Sequence, residues 1–206
     1  MTRSRLATFT WAYVLGFTAY SVGQGTRRVV AYLLVVGILA FVVRRVHRAH
    51  PLPPVVLWAL SICGALHMAG GLLPSPSAGA PIFYETWLIE PVLKYDQFVH
   101  FATSAVVVLA CWELLGHLLG PRATPLARGL IAALMALGFG AGNEAFEFLS
   151  AQRFADAFVG NLQNTGWDLV FNTCGALTAL VWLVTAAAPV ASSPSIPAHE
   201  SRVSLA

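Results

Sequence analysis

Apolar runs, several of them long enough to cross a bilayer, constrain this sequence more than any other feature. A helix that spans the hydrocarbon core needs roughly 17 to 25 apolar residues, and backbone polar groups in lipid must be bonded internally. The runs lie at about 6–23, 29–43, 52–73, 96–119, 126–150 and 166–188. Only 10% of the residues are charged, against roughly 25% in soluble domains. The sequence therefore predicts an all-α, polytopic membrane bundle of about six transmembrane helices.

The runs divide the chain into three parts. Residues 1–50 contain two helices with basic ends, residues 51–188 form a four-helix core, and residues 189–206 predict a disordered cytoplasmic tail rich in Ser, Pro and Ala. The first run follows two arginines and would also fit a signal peptide. Because a second run begins almost at once, we expect the first to be retained as a helix.

Positive charges between the runs predict the orientation of the bundle, because Lys and Arg are enriched in cytoplasmic loops. The densest basic cluster, at 44–48, ends the second run. The predicted inside set is Arg3, Arg5, Arg44, Arg45, Arg48, Arg122, Arg128 and Arg202, and the outside set is Arg27, Arg28, Lys94 and Arg153. We therefore expect a multi-pass membrane protein with both termini in the cytoplasm. The lipid bilayer is the expected partner, and the net charge of +3 indicates topology rather than nucleic-acid binding.

The three cysteines, Cys63, Cys111 and Cys174, each lie inside an apolar run. They lack the CxxC spacing of zinc knuckles and redox motifs, and a disulfide framework is not indicated. We interpret them as small apolar packing residues.

Two further segments have predicted structural roles. Residues 82–89 are rich in aromatic and apolar side chains and are expected to lie at the membrane interface, or to form a lid or re-entrant element. The run Gly138-Phe139-Gly140-Ala141-Gly142 is typical of close helix packing, with a hinge as the alternative.

Polar side chains within the runs are predicted to meet at one end of the bundle. They lie late in the third helix, early in the fourth, late in the fifth and early in the sixth, and successive helices run in opposite directions. These positions therefore share one leaflet, which the predicted topology makes the extracytoplasmic one. The residues are His67, Asp96, His100, Glu144, Glu147, Asp168 and Asn172. Because such groups are costly in hydrocarbon, we expect them to form a polar pocket together.

Glu113 and His117 form a separate pair near the cytoplasmic end of the fourth helix. At about 100° per residue, Glu113 lies on nearly the opposite side of the helix from His100. We therefore leave this pair out of the predicted site.

Four segments, taken in order, resemble a known pattern. They are His67-Met68-Ala69-Gly70-Gly71, Tyr95-Asp96-Gln97-Phe98-Val99-His100-Phe101, Asn143-Glu144-Ala145-Phe146-Glu147-Phe148, and Asn164-Thr165-Gly166-Trp167-Asp168 with Asn172, Gly175 and Ala176. Over about 57–183 their order resembles YjdF-like bacterial membrane proteins and, more distantly, VanZ-like proteins, in which a Lys is usual where Gln97 stands. YjdF-like proteins are largely uncharacterised, so the resemblance implies a membrane core in the bacterial inner membrane but no reaction. The expected supporting polar residues are Asn143, Asn164, Trp167 and Asn172.

The first functional hypothesis is a divalent metal ion bound within the membrane. His67 and His100 would supply imidazole nitrogens. The carboxylate ligands would be Asp96, Glu144, Glu147 and Asp168. This mixture suits zinc, iron or manganese, which could activate water or dioxygen beside a lipid-linked substrate. A specific motif such as HExxH is not present in the sequence.

The second hypothesis is an acid–base enzyme without a metal that acts on a membrane lipid or another cell-envelope component. Its catalytic residues would be Asp96, His100, Glu144, Glu147 and Asp168.

Two non-enzymatic alternatives remain open. A cation- or proton-coupled transporter would use the carboxylates as a relay, although only Glu113 and His117 lie towards the cytoplasmic face. A packing lock would pair the polar groups with one another, with Trp167 as an interfacial anchor. Its pairs would be Asp96 with His100, Glu144 with His67, and Asp168 with Asn172. Seven polar groups at one depth favour a site over packing alone.

Overall fold

The computed structural model describes residues 3–77, 79–153 and 162–187. Its helices are α1 (Arg3–Gly23), α2 (Val29–Ala49), α3 (Pro54–Leu72), α4 (Tyr95–Leu119), α5 (Pro125–Arg153) and α6 (Leu162–Ala186). An antiparallel hairpin of β1 (Trp87–Ile89) and β2 (Leu93–Lys94) and 3-10 turns at Phe83–Glu85 and Gly120–Arg122 complete the described elements. The predicted all-α polytopic bundle is confirmed. The tail predicted at 189–206 lies outside the described residues.

Local signals set both ends of α4, the helix that carries Asp96 and His100. At its start, the backbone N–H of Lys94 donates to Oε1 of Gln97 at 2.8 Å, which is a capping bond. At its end, Gly120 has a φ of 58°, a left-handed conformation that glycine adopts without a Cβ clash. Asp96 therefore lies in the first turn, where a carboxylate interacts favourably with the helix dipole.

α6 begins at Leu162, earlier than the start near Gly166 that the sequence predicts. The apolar periodicity that indicates a helix begins only after the polar residues Gln163 and Asn164, so it does not reveal this first turn. Asn164, expected in a loop, therefore lies on a helix.

Five of the described helices, α2 to α6, are long and apolar enough to cross a membrane. α1 is 21 residues long but does not reach the same hydropathy, because threonine and tyrosine residues interrupt its apolar run. It packs against α3, with the ring of Phe9 centred 5.3 Å from that of Trp58 and the hydroxyl of Thr10 2.7 Å from that of Ser61. The chain is therefore multi-pass, and a membrane crossing by α1 stays a prediction.

The main apolar core lies between α4, α5 and α6. Its buried residues are Val108, Cys111, Trp112, Leu115, Ala132, Ala133, Ala136, Ala176, Ala179, Leu180 and Leu183. α5 and α6 contribute mostly alanine to this core, which lets neighbouring helices approach closely. The backbones come close at Gly175, where an added Cβ would overlap the backbone oxygen of Phe101. This contact fixes the middle of α6 against the second turn of α4.

The segment at 82–89 is not a simple interfacial stretch. Its 3-10 turn places Tyr84 against the end of α3, and Gly70 leaves room for that ring, since an added Cβ there would overlap it. Trp87 and Ile89 belong to the hairpin and are exposed. The segment therefore covers one end of the bundle, and whether it acts as a lid or lies at the membrane interface stays a prediction. Strands of three and two residues are too short to show a period in the sequence.

In the glycine run at 138–142, the structure supports the predicted close helix packing at Gly140 only. A Cβ at Gly140 would lie 2.8 Å from the side-chain nitrogen of Asn172 on α6, whereas one at Gly138 or Gly142 would meet nothing within 4 Å. Spacing alone gave no information on which glycine faces α6.

The cysteine interpretation is only partly supported. Cys63 and Cys111 are buried packing residues, and Cys174 is exposed on α6.

We expect Gly175→Ala to lower the free energy of unfolding by about 1–3 kcal/mol, because the added methyl group must displace the backbone of α4. Gly138→Ala is the matched control, since it replaces a helical glycine in open space and should be neutral or stabilising by up to about 1 kcal/mol. Thermal unfolding of both purified variants in the same detergent measures the difference. Equal stability of the two variants would contradict the close approach of α4 and α6.

Candidate metal centre

His100 on α4 lies between three carboxylates from three helices. Its Nε2 atom is 3.3 Å from Oδ1 of Asp96 and 3.9 Å from Oδ1 of Asp168, and its Nδ1 atom is 3.6 Å from Oε1 of Glu144. All four residues are buried, with exposed fractions between 1% and 8%. Four of the polar residues predicted to share one depth therefore form one cluster, which we call the acid–imidazole cluster.

Several oxygens of this cluster have no hydrogen bond within the described part of the chain. They are Oε1 and Oε2 of Glu144 and Oδ1 of Asp168. Native structures bond the great majority of their buried polar atoms, and the separations of 3.6 and 3.9 Å from His100 are too long to count as hydrogen bonds. Three carboxylates thus face one imidazole, which can carry at most one positive charge. The arrangement favours a further cation.

Asn164 connects two of the acids. Its Nδ2 donates to Oδ2 of Asp96 at 3.0 Å and to Oδ2 of Asp168 at 2.6 Å. This amide joins the first turns of α4 and α6 and leaves the Oδ1 atoms of both acids beside His100. Asn164, expected as a supporting residue, therefore orients two candidate ligands.

The geometry of three side chains is compatible with a metal ion. One ligand atom each from Asp96, His100 and Asp168 lie within 4.8 Å of one another. Ligands that bind zinc at about 2.0–2.2 Å lie roughly 3–4 Å apart, so small side-chain movements would complete the site. Glu144 reaches the same imidazole from α5 and is the nearest candidate for a fourth protein ligand.

His67 lies beside the cluster, with its ring centred 6.0 Å from that of His100, and its role as a metal ligand stays a prediction. Its Nδ1 is 2.8 Å from the hydroxyl of Tyr84, and its Nε2 is 3.1 Å from the hydroxyl of Thr103. Both ring nitrogens are therefore engaged. The predicted pairing of His67 with Glu144 is wrong for the same reason, and Glu144 faces His100 instead.

The remaining acid, Glu147, also lies apart from the three-ligand group. Its Oε1 accepts a hydrogen bond of 2.9 Å from the side-chain amide of Asn143, one turn earlier on α5. Glu147 is half-buried, and this bond lies within its own helix. Its predicted roles as a ligand and a catalytic group stay predictions.

One predicted contact on α6 also differs. Asp168 bonds Asn164 and not Asn172, because the earlier start of α6 places Asn164 one turn before it. Asn172 packs instead against Gly140 of α5. Trp167 is 49% exposed on the outer surface of α6, which is compatible with an interfacial anchor.

Glu113 and His117 are separate from the cluster, as expected. Nε2 of His117 lies 3.1 Å from the backbone oxygen of Pro51, at the opposite end of α4 from Asp96.

Sequence reasoning missed Tyr84, which holds His67, and Tyr32, which contacts Tyr84. The hydroxyl of Tyr84 donates to the backbone oxygen of His67 at 3.1 Å, and Tyr84 also forms a side-chain hydrogen bond with Tyr32 of α2. Burial raises the pKa of Tyr84 well above its usual value, so it remains a neutral donor. The sequence feature that could have indicated these contacts is the pair Gly70-Gly71, because a Cβ at either glycine would overlap one of the two tyrosine side chains.

The fold and the cluster together define a polytopic helical membrane protein with a buried acid–imidazole centre. Residues 4–188 match the family described as a predicted membrane protein, DUF2238, and the chain belongs to that family. The YjdF-like resemblance is consistent with this membership, whereas the resemblance to VanZ-like proteins stays a prediction. No curated protein and no solved structure matches the chain.

We expect opposite effects from removing the imidazole and removing one acid in protein kept free of metal by a chelator. His100→Leu leaves buried carboxylates without their cationic partner and should lower the free energy of unfolding by about 3 kcal/mol. Glu144→Gln removes a buried negative charge while keeping the side-chain shape, so stability should be unchanged or higher. Thermal unfolding in detergent measures both.

The control is Glu113→Gln, which removes an acid from α4 outside the cluster. If Glu144→Gln destabilised the protein as much as His100→Leu, an excess of buried negative charge would not be the feature that governs this site.

Proposed function

We propose that this protein binds a divalent metal ion through Asp96, His100 and Asp168, with Glu144 beside it. The observation that carries the proposal is the grouping of three candidate ligand atoms within 4.8 Å. The unbonded oxygens of Glu144 and Asp168 support it independently, because they identify the positions where positive charge is lacking.

The ligand chemistry narrows the choice of ion. One imidazole nitrogen with carboxylate oxygens suits zinc, iron or manganese better than magnesium or calcium, which prefer oxygen ligands alone. Two positive charges would compensate most of the charge of the three carboxylates. Asn164 would act as an outer hydrogen-bond partner that fixes the two aspartates, as is common around protein metal sites.

We infer that the centre belongs to an enzyme acting on a membrane lipid or another envelope component. A bound divalent ion would supply a water of lowered pKa. Glu144, with both oxygens unbonded and Oε1 3.6 Å from the His100 ring, is placed to accept a proton. Helices of membrane-spanning length surround the centre, so a substrate that reaches it from the bilayer is the natural class.

We further propose that the centre lies in the extracytoplasmic leaflet of a bacterial inner membrane, with both termini in the cytoplasm. The support is the basic cluster at 44–48 in the last turns of α2, because such clusters favour the cytoplasm. The centre lies at the opposite ends of the helices. In intact cells with the native cysteines removed, an impermeant thiol reagent should label Ser77→Cys and spare Ala123→Cys. The reverse pattern would overturn the orientation.

The YjdF-like assignment and the division of the chain at residue 51 belong to the same proposal. The acid–imidazole cluster and its neighbour His67 come from α3 to α6, within the four-helix core assigned to 51–188. α2 contributes Tyr32 from outside that core.

We expect purified wild-type protein to retain about one zinc, iron or manganese ion per chain. His100→Ala and Asp168→Asn should each bind the ion at least tenfold more weakly, because each substitution removes a direct ligand. Glu113→Gln should retain the wild-type amount. Elemental analysis after dialysis against a weak chelator measures the stoichiometry. Absence of stoichiometric metal from the wild type, or equal metal in all variants, would contradict the proposal.

A further inference from the structure

A groove of about 420 Å³ opens at the end of the bundle where α1 turns into α2 and α3 ends. One wall is the α1–α2 turn, which includes Thr26, Arg27 and Arg28, and the other includes Leu72 and Leu73. Its volume falls in the range of about 300–1,000 Å³ that is typical of small-molecule sites. The groove is separate from the acid–imidazole cluster, because no residue of that cluster lines it.

The described residues that line this groove carry charge of one sign. Two adjacent arginines line it, and no acidic residue is found among its described lining residues. These arginines lie at the end of α2 opposite to the basic cluster at 44–48. They are therefore exceptions to the enrichment of basic residues at the predicted cytoplasmic side. The N-terminus of α2, which begins at Val29, adds the positive end of a helix dipole.

The two arginines are held differently. Arg28 donates from Nη1 to the backbone oxygen of Gly71 at 3.1 Å and from Nε to the hydroxyl of Thr26 at 3.3 Å, so its guanidinium bridges the two walls. Arg27 is exposed at the mouth of the groove. A fixed guanidinium beside an exposed one provides several donors for a multiply charged oxyanion.

We propose that this groove binds a phosphate group, carried by an anionic lipid or free in solution. Arginine recognises phosphate oxygens through paired, charge-assisted hydrogen bonds. Leu73 and Pro74 give an apolar surface next to the basic one, which suits an amphiphile whose head lies at Arg27 and Arg28. The proposal does not depend on a metal ion at His100.

The test uses purified full-length protein in a neutral detergent, with short-chain phosphatidic acid as the probe and the matching phosphatidylcholine as the zwitterionic control. Isothermal titration calorimetry measures affinity for the wild type, Arg27→Gln and Arg122→Gln. Arg27 is exposed, so its replacement should leave folding intact, and thermal unfolding verifies this. Arg122→Gln removes an exposed arginine from the other end of the bundle.

We expect saturable binding of phosphatidic acid that is roughly tenfold weaker in Arg27→Gln, as loss of one charge-assisted hydrogen bond implies, and unchanged in Arg122→Gln. Addition of a chelator should not alter it. Competition by inorganic phosphate at a similar affinity would identify free phosphate as a ligand, and failure to compete would identify the lipid head group. Absence of saturable binding, equal binding of phosphatidylcholine, or equal affinity in Arg27→Gln and the wild type would overturn the proposal.

Discussion

Burial of three carboxylates around His100 is the constraint on which the rest of this structure depends. A charge moved from water into a membrane-embedded interior loses several kcal/mol of hydration, and one imidazolium can compensate only one of three negative charges. The separations of 3.3 to 3.9 Å around the ring show that the acids are gathered but not closely paired. Simple helix packing would be better served by apolar residues of the same size. The excess of negative charge is therefore the main reason to assign a function to this position.

The packing of α4 against α6 brings the ligands together. Gly175 lets α6 approach the backbone of Phe101, and Asn164, in the first turn of α6, bridges Asp96 and Asp168. The bundle thus sets the spacing of the acids through backbone contact and a hydrogen-bonded amide. Tyr84 reaches in from the segment that covers the same end of the bundle and holds His67 next to the cluster.

Much of the architecture was predictable, because the lengths of the apolar runs and the opposite directions of successive helices determine it. Asp96 and His100 lie early in α4 and Asp168 early in α6, so their common depth followed from the antiparallel order of the helices. Sequence spacing could not show which side chain takes which partner. His67 has the correct depth but turns to Tyr84 and Thr103, and Glu147 bonds within its own helix. The hairpin at 87–94 and the polar first turn of α6 were not predicted, because neither has a clear hydrophobic period.

X-ray absorption spectroscopy of the zinc-loaded protein tests the central claim most directly, since it reports the ligands and not only the presence of metal. The account predicts a single imidazole together with oxygen ligands at about 2.0–2.2 Å, and loss of the imidazole scattering in His100→Ala. A spectrum of oxygen ligands alone that is unchanged by His100→Ala would contradict it.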